Sequence, residues 1–299
     1  MGGNKPIGVF DTGVGGLSVV GEMLELLPQE SIVYFADRAR QPYGALPPPV
    51  AERLVLESLE FLVNQGAKAL VIACNTAAAA GYAAAKKRFS LPIVSVIEPG
   101  VRTAAQITRN GRIGVIGTKG TIESGAHARA LAEIYPEFQM FGQACPLLPP
   151  LIELGKLDTP ETRMVVEHCL RPLQEQGIDT LVLGCTHFPF VRSLIAQTIG
   201  EDVRIVDPAR ETVRELQKIL AEKQELNLIT GEKNYRYIVS KFPETFQEVG
   251  SRLLGRAIPA VEEELVGEPV QGFDIKEANL YHPSKVETAQ EFLKYIQDN

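Results

Sequence analysis

The chain has 299 residues and only four cysteines, too few and too scattered for a disulfide framework, so reduced thiols are expected. No C-x-x-C and no H-E-x-x-H occurs, and His127, His168, His187 and His282 assemble no zinc spacing, so no metal is expected. There is no Lys/Arg block. With 30 basic against 37 acidic residues and a net charge of -7, the electrostatic footprint of a nucleic-acid binder is missing. The longest apolar run, Ala69 to Ala85, is interrupted by Asn75 and Thr76 and is mostly Ala beyond them. It is too short and too weakly hydrophobic for a membrane span. No secretory leader precedes the first apolar run, so a cytoplasmic protein without membrane association is expected. At 45% apolar and 22% charged, the composition also excludes intrinsic disorder as the main state.

What is present is alternation. Short β-rich runs at Ile7–Phe10, Ile32–Ala36, Ala69–Ala73 and Ile93–Ile97 are separated by helical patterns at Leu17–Leu27, Val50–Gln65 and Ala77–Arg88. The pattern restarts with strands at Arg112–Ile116, Thr180–Leu183 and Arg204–Val206. Helices are expected at His127–Ile134, Thr162–Gln176 and from Arg210 to about Ala221. Strands joined through helices by short connections make a parallel sheet covered on both faces. The expected fold is therefore α/β, with two similar three-layer lobes. Leu226 to Leu265 is mixed, and from Gly267 the chain turns polar and charged.

One near-repeat carries chemistry. Ala69-Leu70-Val71-Ile72-Ala73-Cys74-Asn75-Thr76 parallels Thr180-Leu181-Val182-Leu183-Gly184-Cys185-Thr186-His187. Ligands of open α/β sheets bind outside the carboxyl ends of the strands, so two such units facing each other bring both cysteines to one cleft. A Cys at a strand end before a helix feels the positive end of the helix dipole, which predicts a lowered pKa. Two thiols on opposite sides of a carbon can take a proton from one face and return one to the other. A single Cys in such a place is more often only a small buried residue. The matched context of two, flanked by Thr and His, reverses that preference. Cys145, before a Pro, and Cys169, inside a helical pattern, read as structural.

Around them lie weaker signals. Asp11-Thr12-Gly13-Val14-Gly15-Gly16 follows the first strand, but the run lacks the third Gly of a dinucleotide loop, and Asp37 lies in a loop instead of ending the next strand. Asp11 is open between a helix N-cap and an acid/base or orienting role. Gln41-Pro42-Tyr43-Gly44 reads as a turn. Gly117-Thr118-Lys119-Gly120-Thr121 is either a carboxylate cradle or a capped helix start. His187, two residues after Cys185, is placed to tune that thiol or shuttle a proton.

The runs Ile7-Gly8-Val9-Phe10-Asp11-Thr12-Gly13-Val14-Gly15-Gly16-Leu17, Pro42-Tyr43-Gly44, Ile72-Ala73-Cys74-Asn75-Thr76-Ala77, Gly114-Val115-Ile116-Gly117-Thr118 and Leu183-Gly184-Cys185-Thr186-His187-Phe188-Pro189 resemble the aspartate/glutamate racemase family. They fall in order over roughly the first 210 residues, and weaker similarity continues to about Leu265. The resemblance implies cofactor-independent interconversion of L- and D-glutamate in a cleft between the lobes, with Cys74 and Cys185 as the acid/base pair, assisted by Asp11 and His187. It implies substrate contacts at Asp11, Thr12, Tyr43, Gly44, Asn75, Thr76, Thr186 and His187, and a wider pocket at Pro42, Thr118, Thr121 and Glu153. It further implies a role in peptidoglycan synthesis and cell shape, and a homodimer. The implied lobes are 1–98 with 211–266, and 99–210, followed by an extension, 267–299, of no assigned role. Thr12 stands where the family usually has Ser, and Pro47-Pro48-Pro49 is unusual for it. The competing readings are an aspartate racemase or other two-cysteine isomerase, a non-catalytic amino-acid-binding protein, and a thiol redox protein.

Overall fold

The computed structural model describes residues 5–227, 233–268 and 270. The chain runs β1 (Ile7–Asp11), α1 (Leu17–Leu26), β2 (Ile32–Ala36), α2 (Pro48–Asn64), β3 (Ala69–Ile72), α3 (Asn75–Arg88), β4 (Ile93–Ser95) and α4 (Ile97–Ile107). It continues with β5 (Arg112–Gly117), α5 (Lys119–Glu123), α6 (Ala126–Ile134), β6 (Gln139–Ala144), α7 (Leu148–Glu153), α8 (Pro160–Glu175), β7 (Thr180–Gly184), α9 (Arg192–Ile199) and β8 (Arg204–Val206). It closes with α10 (Pro208–Glu222), β9 (Tyr235–Val239), α11 (Pro243–Leu254) and β10 (Glu262–Glu263).

The strands form two sheets, ordered β10-β9-β2-β1-β3-β4 and β6-β5-β7-β8. Every pairing in both is parallel. The side-chain period of two, with both faces covered, explains why the strands read as continuous apolar runs. In the first sheet Phe10, Val33, Phe35, Leu70 and Ile72 face α2 and α3. Their neighbours Ile7, Val9, Tyr34, Val71 and Val239 face α1, α10 and α11. In the second sheet Ile113, Val115 and Val182 face α4 and α6, whereas Ile116, Leu181 and Leu183 face α7, α8 and α9. This is the layered α/β architecture that the alternation predicts.

Several elements escape the sequence pattern, α7, α9, β6 and α4 among them, and β9, α11 and β10 lie in the stretch read only as mixed. β6 reads Gln-Met-Phe-Gly-Gln-Ala, is largely solvent-accessible and lies at a sheet edge, so it carries no apolar run. α4 begins with Ile97-Glu98-Pro99-Gly100, which looks like a turn. Pro99 is tolerated because first-turn N–H groups have no intrahelical acceptor. A Cβ on Gly100 would stand 2.9 Å from Pro208 Cγ, so the glycine lets α4 meet the start of α10. The strand expected over Ile93–Ile97 therefore ends at Ser95. The proline run starts α2 early, with Pro47 as its N-cap and Pro48 and Pro49 in the first turn. The extension expected from 267 to 299 lies outside the described residues, apart from Gly267, Glu268 and Val270.

Candidate active site

The chemistry collects at the carboxyl ends of β1, β3 and β7. Cys74 is the N-cap of α3, two residues after β3, and Cys185 directly follows β7. Each belongs to a different sheet. Both are buried free thiols, and Cys185 is near enough to add to the electrostatics of Cys74. Thr12 Oγ1 lies 3.7 Å from Cys74 Sγ, and Nδ1 of His187 lies 3.8 Å from Cys185 Sγ.

The two sulfurs have opposite surroundings. Burial pushes the Cys74 thiol up to about 12, and the nearby Asp11 carboxylate adds to that rise. The Ala77 N–H and the Thr12 hydroxyl oppose it without prevailing. The lowered pKa expected from the helix N-terminus is therefore corrected at Cys74: desolvation and a neighbouring anion outweigh the dipole. At His187, burial works against the imidazolium, but hydrogen bonds to Cys185 and to Glu153 Oε1, 2.9 Å from Nε2, hold it well above the ordinary histidine range. Cys185 thus faces an imidazole held toward its protonated form and Cys74 a buried carboxyl.

Asp11 ends β1 and is 2% exposed. Burial raises its carboxyl above the usual range, against the pull of His187 and of hydrogen bonds from the Gly13 N–H at 2.7 Å and the Thr186 hydroxyl at 3.2 Å. It caps no helix, because α1 begins only at Leu17 with Gly16 as its N-cap. The N-cap alternative therefore falls. The glycines of this loop serve close approach. A Cβ on Gly15 would collide with Thr186 Oγ1 and stand 2.6 Å from His187 Nδ1, while one on Gly16 would stand 2.7 Å from Asp11 Cβ. The loop receives the second lobe, which explains its glycines without a phosphate.

Thr76, Thr118 and Thr121 join their hydroxyls at 2.9–3.0 Å, linking α3 to the start of α5 across the two lobes. Beside them Gly44 lies against the backbone of Gly120. Asn75 is buried, and its Oδ1 has no hydrogen-bond partner among the described residues. Pro42 and Gly44 flank Tyr43, whose hydroxyl does not face the thiols. It donates to Asp37 Oδ2 at 2.5 Å, so its loop offers the cleft backbone and not phenol.

Two contributors are hidden in the sequence. Tyr34 reads as an ordinary strand residue, yet its hydroxyl donates to the Gly13 carbonyl at 2.7 Å and fixes the Asp11 loop. Asp37 reads as a loop residue of no consequence, yet it accepts from Arg40 Nε, Tyr43 and Ser240. Only partners distant in sequence reveal either role. Cys145 and Cys169 lie in the core of the second lobe, at sulfur contacts to the Gln143 and Ala144 carbonyls. Among the described residues no group of His, Cys, Asp or Glu is clustered to hold a metal, and no helix is long and apolar enough to cross a membrane.

The chain is of the class of two-lobed parallel α/β proteins, each lobe carrying one buried free thiol at a strand end. Comparison with known proteins gives the particular family. The sequence model of Asp/Glu/Hydantoin racemase matches residues 25–216. The glutamate racemase of Geobacter metallireducens is 48% identical over 251 residues, covering 84% of this chain and 93% of that protein. The crystal structure of glutamate racemase isoform RacE1 from Bacillus anthracis superposes with a TM-score of 0.83 at 40% identity, covering 90% of this chain and all of that one. A glutamate racemase from Francisella tularensis, in complex with D-glutamate, superposes with a TM-score of 0.81 at 33% identity, over 88% of this chain and 98% of that one. The chain belongs to the Asp/Glu/Hydantoin racemase family.

Proposed function

We propose that this chain interconverts L- and D-glutamate without a cofactor, using Cys74 and Cys185 as the acid/base pair, and that it supplies D-glutamate for peptidoglycan. The observation that carries the reading is the pair of buried free thiols on strand ends of separate lobes, one beside Asp11 and one beside His187. In this reading no cofactor spreads the charge, so the α-proton leaves and returns in steps that the side chains arrange. For a turnover of about 10 per second the barrier is about 16 kcal/mol. Cys74, whose thiol is held up by burial and Asp11, is the proton donor of the resting cleft. Cys185, facing the His187–Glu153 pair, takes the α-proton from the opposite face, and with the other enantiomer the roles exchange. Asn75, the Thr76–Thr118–Thr121 hydroxyls, Thr186 and the backbone at Tyr43–Gly44 are the polar groups that hold the substrate's carboxylates and amino group.

The lobes in this reading comprise 1–98 with 211–266, and 99–210. Sheet membership supports the division, and α4 and α10 carry the chain across it. A cytoplasmic homodimer completes the reading.

The test is the protein with L-glutamate or L-aspartate in D₂O, under reductant and without added cofactor. The expected outcome is loss of the Cα proton by NMR and of optical rotation with glutamate only. Cys74→Ser and Cys185→Ser are each expected to abolish racemisation while leaving the circular dichroism and melting temperature near wild type. Near-normal turnover in either variant would sink the two-thiol mechanism. Exchange with aspartate alone would transfer it to the shorter substrate.

A further inference from the structure

The loop that carries Tyr43 and Gly44 is held from beneath by a buried charge network. Asp37 accepts from Tyr43 Oη at 2.5 Å, from Arg40 Nε at 2.6 Å and from Ser240 Oγ at 2.9 Å. Arg40 also pairs through Nη1 with Glu57 Oε2 of α2 at 2.5 Å. Arg40 is 1% exposed although Glu57 lies near the surface, and its Nη2 has no partner among the described residues. Part of the cover over this guanidinium lies directly against Arg40 Nη1.

That cover is the segment after β10. The Glu264 N–H donates to the Val239 carbonyl at 2.9 Å, which prolongs the edge of the first sheet. Val266 and Val270 then pack on the apolar cluster under α2. Between them Gly267 passes over the ion pair in the left-handed conformation, φ +67°. A Cβ there would stand 2.6 Å from Glu57 Oε2 and 2.9 Å from Arg40 Nη1. The backbone angle demands glycine, and a Cβ would displace the far ends of Glu57 and Arg40 from their pairing. Closing a buried charge pair against water strengthens it, and a hydrated Arg40 would hold Asp37 less firmly.

We propose that Glu264–Glu268 is a strap that makes Arg40 a positioning residue for the reaction: by sealing Arg40 against Glu57 it fixes Asp37, and through Asp37 the Tyr43–Gly44 loop on the substrate. The consequence for turnover rests on the proposed role of that loop in binding glutamate. Gly44 also abuts Gly120, so the same anchor sets how the lobes meet beside Thr76, Thr118 and Thr121.

The test compares full-length Gly267→Val with Gly177→Val. The control substitution meets a similar left-handed backbone, φ +64°, with no atom in reach of a Cβ. Amide hydrogen exchange of residues 41–46 is expected to quicken about tenfold in Gly267→Val and not in the control. The KM for glutamate is expected to rise about tenfold while kcat stays within about twofold. Unchanged exchange, or equal change in the control, overturns the strap. Faster exchange with an unchanged KM overturns its link to the reaction. If the wild-type protein turns over no glutamate, the proposed function fails, and the exchange result still decides the strap. Should Gly267→Val not fold, Gly267→Ala, with the colliding Cβ alone, reads the same outcomes.

Discussion

Cys74 and Cys185 hold equivalent places in the near-repeat, yet a buried carboxyl lies beside one and an imidazole held toward its protonated form beside the other, and that difference is a matter of single residues. Asp11 is the telling one. Its folded pKa lies above the ordinary carboxyl value because burial disfavours the anion more than His187, Gly13 and Thr186 favour it. The contribution of such a group to stability is fully present below its unfolded pKa and is lost as pH rises through the folded value. At pH 7, above the unfolded value, the raised carboxyl of Asp11 therefore costs stability. Asp11→Asn keeps the acceptor for the Gly13 N–H and removes the charge. It is expected to raise the melting temperature at pH 7, with the gain shrinking as the pH falls toward the carboxyl range, and to slow racemisation about a hundredfold. A melting curve and a progress curve at matched pH check both signs. A lower melting temperature at pH 7 would mean that the anion is a structural asset. The sequence shows Asp11 at a strand end but leaves its role open, because its burial comes from Tyr34, Gly16 and Thr186, which are brought to it only by folding.

At the scale of elements, the lobes meet through glycines. Gly15 of the β1–α1 loop accepts Thr186 and His187, and Gly120 at the start of α5 lies on Gly44. A Cβ on Gly120 would stand 2.6 Å from Gly44 Cα and 2.9 Å from Gly44 O. These are backbone atoms, which cannot rotate away as a side chain does. Overpacking of that kind costs about 1–3 kcal/mol in a rigid core. Between two lobes the strain is relieved by holding the cleft ajar. Gly120→Ala is therefore expected to raise the KM for glutamate about tenfold with little change in melting temperature. A variant with wild-type KM would show that the Gly44–Gly120 contact is not part of the substrate-bound state. The elements themselves were largely legible. Strands buried on both faces announce themselves as apolar runs, and α2 and α8 as periodic helices. Others were not, such as β6 and α4, since an edge strand has no buried faces to advertise and a helix opening on Pro-Gly has the local chemistry of a turn.

At the scale of the whole molecule, the proposed binding of substrate between the two lobes would tie ligand to global stability. A ligand bound only by the folded state at one hundred times its Kd adds about 2.7 kcal/mol. Thermal melts with D-glutamate and with D-aspartate at equal concentration are expected to show an upward shift with glutamate and a smaller one, or none, with aspartate. Equal shifts would place the selectivity in the chemical step instead of binding. The strap adds a second global coupling, because a segment from the far end of the chain closes a network that begins at Asp37.

The sequence alone determined the class of fold, since burial on both faces of parallel strands needs nothing beyond a local run of apolar residues. It also determined the two thiols, since each sits in its own strand-end signature. Only the tertiary structure decided their character. Burial and the approach of Asp11 raise Cys74, and Glu153, 34 residues before His187, holds the imidazolium beside Cys185. Likewise Tyr43 turns to Asp37, and Gly267 seals Arg40. Those outcomes depend on desolvation and on charges at a few ångströms, quantities that come into being when distant segments pack together.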